Sequence, residues 1–407
     1  MDRYNATGSG NDDQKSTTGD RVMSTDPIIA GVGESELGKT PDRTWIDNAA
    51  VASVRALNDA GLDLDAVDGV AVAGANDDLP TLLLGEYLGI DHPQYMDGTE
   101  IGGSAFERFV ETAARSMESG NVDVVVIAYG STQRTAGEGT PEIESSHPVD
   151  QFAELAGTFT PVSQYALATQ RHMHEHGTTE AQLAEIAVST REWASMNPKA
   201  ARRDPLTVDD VLSSPPVSAP LKQLDCCLVS DGGGALVLVS PEKAAELDST
   251  NVAISGAAST QTHRKDMSQM PDLTSTGATE TGPRAFEQAG IDVDDVDVAE
   301  IYDSFTYTVL TTLEDLGFCD QGAGGEFVEG GTLGPDGSLP TNTHGGGLSY
   351  CHPGHFGIFL LIEAVRQLRG EYDGKRQVPD ATTAVAHGTG GVLSSSSTVV
   401  LERRGQP

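Results

Sequence analysis

Two histidines stand beside glycine-rich turns near the end of the chain, where they have the surroundings of proton-transfer groups. His352 follows the run GGGLSYC and precedes Pro-Gly, and His387 opens the run HGTGG. The unperturbed pKa of histidine, about 6.5, suits general acid–base catalysis at neutral pH. Glycine-flanked loops also carry purely structural histidines, and that alternative stays open. We expect no functional role for His344 or His355.

The four cysteines have neither the spacing of a metal site nor that of a disulfide framework. Cys226 and Cys227 are adjacent, Cys319 and Cys351 are single, and no secretory leader accompanies them. Neighbouring side chains on an extended loop point in opposite directions, so we expect Cys351 to face away from the pocket that His352 faces. The pattern predicts reduced structural cysteines, no metal and a cytoplasmic location.

One sequence unit occurs twice, and this duplication predicts the elements that position the histidines. Residues 56–68, ALNDAGLDLDAVD, return as residues 285–297, AFEQAGIDVDDVD. Each copy predicts a helix end, a glycine C-cap, a short acidic turn and a strand. Further on, the runs GSAF at 103–106 and PGHF at 353–356 each open an apolar helix. Two such halves imply two α/β layers packed face to face, with the chemistry where their loops meet.

Between the repeated units, apolar runs predict strands and Ala-rich stretches predict helices. The β-branched run at 122–128 predicts a buried strand in a mostly parallel sheet, and residues 231–239 predict another. Residues 135–161 carry Gly and Pro without periodicity and predict a loop excursion. Residues 164–211 predict helices, which interrupt the two halves as an inserted cap.

These patterns predict an N-terminal extension followed by two halves. Residues 1–26 are polar and predict a disordered extension, or an over-extended start before Met23. The N-terminal half is expected at 27–245, including the insertion at about 131–220, and the C-terminal half at 246–407.

The charge of the chain is strongly negative and dispersed. Of 407 residues, 61 are Asp or Glu and 25 are Lys or Arg, which gives a formal net charge of −36. Dispersed acidic residues indicate a hydrated surface, as in proteins of halophiles. Nucleic acid is excluded as a partner because phosphate backbones require clustered Lys and Arg. No apolar run approaches the roughly 18 residues of a membrane span.

Five motifs, in order on a duplicated chain, resemble the thiolase superfamily, in the branch of sterol-carrier-protein thiolases and their archaeal relatives. They are SDGGGA at 230–235, EIYDSF at 300–305, LGFC at 316–319, GGGLSYCHPG at 345–354 and AHGTGG at 386–391. The resemblance covers nearly everything from Ile28 to Arg404 and is nearest to the catalytic subunit of haloarchaeal two-subunit β-ketothiolases. It implies a duplicated thiolase fold of the α/β class, a five-layered α-β-α-β-α sandwich with an inserted helical and loop cap.

The resemblance also assigns roles to the two histidines. The chemistry of the family needs a nucleophile that holds an acyl group, bases, and donors for an oxyanion. The resemblance implies that His352 activates the nucleophile and that His387 moves the α-proton of a thioester. Loop amides near Gly390 and Gly391 are implied as the oxyanion site.

The nucleophile is the point where this sequence departs from the family. Relatives place a cysteine at the start of the helix that here ends at Gly120, but no cysteine lies between Met1 and Leu224. Counting back from Gly120 puts that position at Gly103, with Ser104 next. Since haloarchaeal relatives use a serine there, the resemblance makes Ser104 the candidate nucleophile, and a helix N-cap is its alternative role.

Two tyrosines form a second departure. Many relatives have a histidine where Tyr302 stands, and Tyr350 adds a phenol two residues before His352. Paired tyrosines without a cysteine resemble thiolase-fold aldolases that cleave steroid side-chain CoA esters by a retro-aldol step. Tyr302, Tyr350 and Asp303 are therefore candidates for catalysis or substrate positioning, with aromatic packing as the alternative for the tyrosines.

Three functions follow, all through the resemblance. The leading one is a β-ketothiolase, an acetyl-CoA C-acyltransferase that supplies 3-ketoacyl-CoA for polyhydroxyalkanoate synthesis. The second is the retro-aldolase, and the third is a non-catalytic scaffold that binds acyl-CoA or lipid. A CoA thioester is expected as substrate, without a bound cofactor. The implied assembly is a dimer of this chain within a hetero-oligomer that contains a small OB-fold subunit, often with a zinc ribbon.

Overall fold

The structure is a computed structural model that describes residues 26–74, 77–137, 155, 157, 160–247, 252–264 and 267–404. The predicted extension, apart from Asp26, lies outside these residues, as does most of the predicted loop at 135–161.

The strands and helices of the described residues follow in chain order. The strands are β1 (Ile28–Glu34), β2 (Gly69–Val72), β3 (Tyr95–Asp97), β4 (Val124–Ser131), β5 (Pro216–Ser218), β6 (Leu221–Lys222), β7 (Gly232–Val239), β8 (Val252–Gln261), β9 (Val298–Ile301), β10 (Thr383–Gly390) and β11 (Ser395–Arg403). The α-helices are α1 (Trp45–Ala60), α2 (Pro80–Leu88), α3 (Ala105–Glu118), α4 (Gln133–Ala136), α5 (Pro161–His176), α6 (Glu180–Met196), α7 (Val208–Ser213), α8 (Pro241–Ala244), α9 (Ala278–Ala289), α10 (Thr306–Leu316), α11 (Gly324–Phe327) and α12 (Gly357–Arg369).

The predicted duplication is present in the structure. Helix α1 is followed by the C-cap residue Gly61 with φ of 68°, and α9 by the C-cap residue Gly290 with φ of 70°. At both positions the left-handed backbone favours glycine, which has no Cβ to clash. A single 3₁₀ turn follows each glycine and leads into β2 or β9. The two repeated sequence units therefore form the same helix, turn and strand in each half.

The main sheet contains nine strands in the order β3-β2-β4-β7-β1-β8-β11-β10-β9. Its two groups, β3 to β1 and β8 to β9, join through a short pairing in which Ile28 and Ile29 face Ala253 and Val252. The prediction of a mostly parallel sheet is wrong. Strand β7 returns from the insertion to lie antiparallel to both β4 and β1. Strand β11 lies antiparallel to β10 and β8, because the short turn after β10 reverses the chain.

Helices and strand groups form the five predicted layers. Helices α3 and α12 lie between the two strand groups, where Phe106, Phe109 and Phe359 are fully buried. Helix α1 covers the outer face of the first group, and α9 and α10 cover the outer face of the second. Helix α12 is apolar over most of its circumference, as is typical of a helix buried on all sides. The central pair of helices therefore fixes how the loops of the two halves meet.

Helices α5 and α6 form the predicted cap and pack on the second half. Tyr165 of α5 lies 4.5 Å from Phe305 between ring centroids. Nearby, the imidazole Nε2 of His172 lies 3.0 Å from a carboxylate oxygen of Glu314 on α10, and both side chains are buried. None of the helices among the described residues is long and apolar enough to cross a membrane.

Candidate active site

A cavity of about 660 Å³ lies where the loops of the two halves meet. The first half contributes the turn before α3, and the second contributes the ends of β9 and β10 and the loop before α12. Strands β9 and β10 are parallel, so their carboxyl ends open on the same side of the sheet. Those lining residues that bear on the chemistry are Glu100, Gly103, Cys227, Tyr302, His352, His355, Gly390 and Gly391.

Tyr302 follows β9 directly and is held by its hydroxyl. The hydroxyl donates to the carbonyl of Gly354 at 3.0 Å and accepts from the N–H of Phe356 at 3.2 Å. It also lies 3.1 Å from Nε2 of His352. The phenol has one proton, so donation to Nε2 replaces the bond to Gly354 and requires the His352 tautomer that is protonated at Nδ1. Burial raises the pKa of Tyr302 well above its usual value, so the phenol stays protonated.

His352 is fixed through its backbone and its ring. Its backbone N–H donates to Oγ of Ser230 at 3.0 Å, and its carbonyl oxygen accepts from the backbone N–H of Ser230 at 3.1 Å. Its ring is stacked near that of Phe356. Burial, with a smaller contribution from the charge of His355, lowers the pKa of His352 to about 4. The imidazole is therefore neutral near pH 7 and able to accept a proton from Tyr302.

The position that corresponds to the family's cysteine has no room for a side chain. A Cβ on Gly103 would lie 2.1 Å from Cε2 of Tyr302 and 2.8 Å from the carbonyl oxygen of Thr389. Real Cβ atoms do not approach other atoms so closely, and the second contact is to backbone, which yields little. The Tyr302 ring thus occupies the space in front of the α3 N-terminus.

Ser104 is not brought to the cavity. It is fully buried behind the cavity wall, and its Oγ lies 2.7 Å from Oγ of Ser395. Ser395, which does line the cavity, donates to the carbonyl of Ile101 at 2.7 Å. The alternative N-cap role is not seen either, because the Ser104 side chain makes no capping hydrogen bond to α3.

His387 is not brought to the cavity either. It lies within β10 and pairs with Thr398 of β11, whose hydroxyl is 2.8 Å from Nδ1. That hydroxyl also contacts Thr281 of α9, so His387 faces the outer layer. Its Nε2 has no partner among the described residues, and burial lowers its pKa to about 3. Only the later residues of this motif, including Gly390 and Gly391, reach the cavity.

Tyr350 and Asp303 support the histidine loop from behind. The hydroxyl of Tyr350 donates to the carboxylate of Glu34, which also binds Arg366 at 2.8 Å. The carboxyl group of Asp303 accepts from the N–H groups of Gly347 at 2.6 Å and Leu348 at 3.1 Å. Burial raises the pKa of Asp303 to about 7. Neither side chain lines the cavity.

The cysteines are poor nucleophiles. Cys227 lines the cavity, and burial raises its pKa well above the usual range of a thiol. Burial also raises the pKa of Cys226 and of Cys319, each to about 12, and that of Cys351. A thiol must ionise to attack, so none of the four is activated here. Among the described residues, no group of His, Cys, Asp and Glu has the arrangement of a metal site.

Glu107 is a buried carboxyl group of the central helix layer that the sequence did not reveal. It lies in the first turn of α3, and a Cβ on Gly357 or Gly388 would come within 2.5 Å of its oxygens. Neither oxygen has a hydrogen-bond partner among the described residues. Burial raises its pKa to about 8, which keeps it mostly neutral near pH 7.

His355 is a second histidine of the cavity wall, although the sequence suggested no role for it. Its ring stacks on that of Tyr129, with centroids 5.7 Å apart and planes inclined by 11°. Its Nε2 lies 3.7 Å from a carboxylate oxygen of Glu100, and both residues line the cavity. The signal in the sequence was its place directly after Pro353-Gly354, in the same loop as His352.

Comparison with known proteins gives relatives of one fold with two chemistries. A family described as "Thiolase C-terminal domain-like" matches residues 258–403. The chain is 33% identical over 395 residues to a steroid side-chain-cleaving aldolase of Thermomonospora curvata, covering 92% of this chain and 98% of that protein. It is 31% identical over 386 residues to an acetyl-CoA acetyltransferase of Methanothermobacter thermautotrophicus, and the match covers 93% of this chain and 100% of that protein.

A solved structure has the same fold over nearly the whole chain. The structure described as "Ltp2-ChsH2(DUF35) aldolase" superimposes with a TM-score of 0.86 at 32% identity. The match covers 95% of this chain and 100% of that chain.

Proposed function

Because the chain belongs to the thiolase superfamily, whose chemistry centres on acyl thioesters, we propose that it is a thiolase-fold lyase. Its substrate is a 3-hydroxyacyl-CoA, which it cleaves by a retro-aldol reaction. The observation that carries the proposal is the position of the Tyr302 ring. It fills the space that the side chain of a nucleophile at position 103 would need. Identity of 33% with a steroid side-chain-cleaving aldolase supports it.

The reaction begins with the removal of the substrate's hydroxyl proton. Since burial keeps the pKa of Tyr302 high, the phenol relays the proton: it accepts the substrate's proton and gives its own to Nε2 of His352. The bond between the α and β carbons then breaks, and its electron pair forms the thioester enolate. Protonation of the α-carbon completes the reaction.

The products are a ketone or aldehyde and a shorter acyl-CoA. Backbone amides near Gly390 and Gly391, which line the cavity, are assigned to the enolate oxygen. This route needs no acyl-enzyme, no free CoA and no bound cofactor.

A β-ketothiolase is the second candidate, favoured by the similarity to an acetyl-CoA acetyltransferase. It would use Ser104 as nucleophile, with His352 and His387 as bases, and would supply 3-ketoacyl-CoA for polyhydroxyalkanoate synthesis. Two of these three side chains would have to move to reach the cavity, since Ser104 and His387 are fully buried outside it. A non-catalytic scaffold is the weakest candidate, because it gives no role to the Tyr302–His352 pair.

We also propose a small OB-fold partner subunit and a dimer of this chain within the assembly. The similar solved structure is described by two component names, which supports a two-subunit enzyme. The net charge of −36 supports an assembly that depends on high salt, as in a halophile, because salt screens repulsion between like-charged subunits.

Ser104→Ala is expected to retain most of the cleavage activity, within about threefold of the wild type. Among the described residues, the serine hydroxyl forms hydrogen bonds to the wall residues Ile101 and Ser395, and the proposed reaction forms no acyl-serine. Iodoacetamide should also leave the wild type active, because the pKa of each of the four thiols is raised. Steady-state kinetics of both samples check this, and loss of all activity in the alanine variant would favour the acyl-serine mechanism.

A further inference from the structure

A retro-aldol cleavage moves two protons, and the Tyr302–His352 pair accounts for only one of them. The first leaves the substrate's hydroxyl group. The second must reach the α-carbon of the enolate, on the part of the substrate that leaves as acyl-CoA. A general acid that performs this step must line the cavity, be held near the substrate and be able to regain its proton from water after each turnover.

Three other groups in or near the cavity wall are unsuited to this step. The thiol of Cys227 holds its proton too tightly, since burial raises its pKa. The hydroxyl of Ser395 is engaged with Ile101 and Ser104. His387 faces the outer layer of the fold.

His355 meets the requirement and is held in one orientation. Its backbone N–H donates to the hydroxyl of Tyr129 at 3.0 Å, and that hydroxyl in turn donates to the carbonyl of Pro353. The stacked Tyr129 ring fixes the plane of the imidazole. About 24% of the side chain is exposed, so Nε2 can exchange protons with water.

Glu100 stands at the exposed edge of this imidazole. Its two carboxylate oxygens accept from the N–H groups of Gly74 at 2.6 Å and Gly102 at 3.1 Å. These bonds keep one oxygen 3.7 Å from Nε2 of His355, where a negative charge favours the imidazolium. Burial lowers the pKa of His355 and the Glu100 carboxylate opposes that change.

We propose that His355 is the catalytic acid–base group at the α-carbon and that Glu100 is its positioning residue. This inference rests on the proposed lyase function. In cleavage, the imidazolium N–H gives its proton to the enolate carbon, the new C–H bond forms, and the neutral imidazole regains a proton from water. In reverse, neutral His355 removes an α-proton from the acyl-CoA. The proton from the substrate's hydroxyl leaves through His352, so protons balance over one turnover.

The test is deuterium exchange at the α-carbon of propionyl-CoA in D2O, followed by mass spectrometry. This assay involves no carbon–carbon cleavage. His355→Gln and His355→Ala should slow exchange by at least about 100-fold, within the range that a positioned acid–base group supplies. Glu100→Gln should slow it by about tenfold. The matched control is His174→Gln on the exposed side of α5, which should exchange at the wild-type rate.

Imidazole rescue separates catalysis from support of the fold. Added imidazole should restore α-proton exchange in the His355→Ala variant. The substitution leaves space beside Tyr129 that free imidazole can occupy. If the histidine only supported the fold, added imidazole would not restore exchange. Exchange at the wild-type rate in both His355 variants would overturn the inference, as would a wild type that does not exchange. Neither result would affect the lyase proposal, which fails only if the wild type cannot cleave a 3-hydroxyacyl-CoA.

Discussion

Tyr302→Phe should lower the rate of 3-hydroxyacyl-CoA cleavage by about 100-fold or more, the largest loss expected of any single hydroxyl group. Phenylalanine keeps the ring that packs edge-on against Phe356 at 5.9 Å and fills the space beside Gly103. What it removes is the hydroxyl that joins the substrate to Nε2 of His352. The loss should appear in kcat, because the proton relay acts in the chemical step.

The control for this variant is Tyr307→Phe. The Tyr307 hydroxyl is also buried and donates to a backbone carbonyl, that of Leu273 at 3.0 Å, but the residue does not line the cavity. Each variant should cost about 1–3 kcal/mol of stability by leaving buried polar groups unpaired. Only Tyr302→Phe should lose kcat. Equal kcat values for the two variants would rule out the relay.

Gly103→Ala is the second substitution with a large expected effect, a loss of about 100-fold in kcat/KM. The added methyl group would lie 2.1 Å from the Tyr302 ring and 2.8 Å from a backbone oxygen, so the ring must move. A displacement of about 1 Å at a reacting group can cost about 100-fold in rate.

The matched control here is Gly85→Ala in α2, where a Cβ has no neighbouring atom within 4 Å. It should retain wild-type kinetics, and the same measurements of kcat/KM on both variants make the comparison. If Gly103→Ala were as active as Gly85→Ala, the Tyr302 ring could not occupy the nucleophile position during catalysis.

The sequence predicted the architecture because its repeated unit encodes local structure. The glycines at 61 and 290, with the acidic turns after them, determine where each helix ends and each strand begins. Strand direction was less predictable, because the order of strands in a sheet depends on contacts between distant segments. The prediction of a mostly parallel sheet was wrong for this reason.

The site was predicted at the level of loops, and less well at the level of side chains. Gly103 and Ser104 lie in the 3₁₀ turn before α3, where successive residues differ by about 120° in direction, so a shift of one residue turns a side chain from the cavity into the wall. In a strand, successive residues face opposite sides, and β10 continues through the histidine motif. His387 therefore faces the outer layer, while the end of its motif reaches the cavity. Tyr302 and His352 do reach the cavity, because Tyr302 lies directly after β9 and His352 lies in the loop before α12.

The comparison of two thioesters tests the central claim most directly. The protein, alone and with its proposed small subunit, is incubated in high salt with acetoacetyl-CoA plus free CoA, and separately with a 3-hydroxyacyl-CoA that bears a tertiary alcohol. Our account predicts that the hydroxy substrate is cleaved to a ketone and a shorter acyl-CoA without free CoA, and that acetoacetyl-CoA is not thiolysed. Thiolysis of acetoacetyl-CoA that depends on free CoA, with the hydroxy substrate left intact, would contradict it.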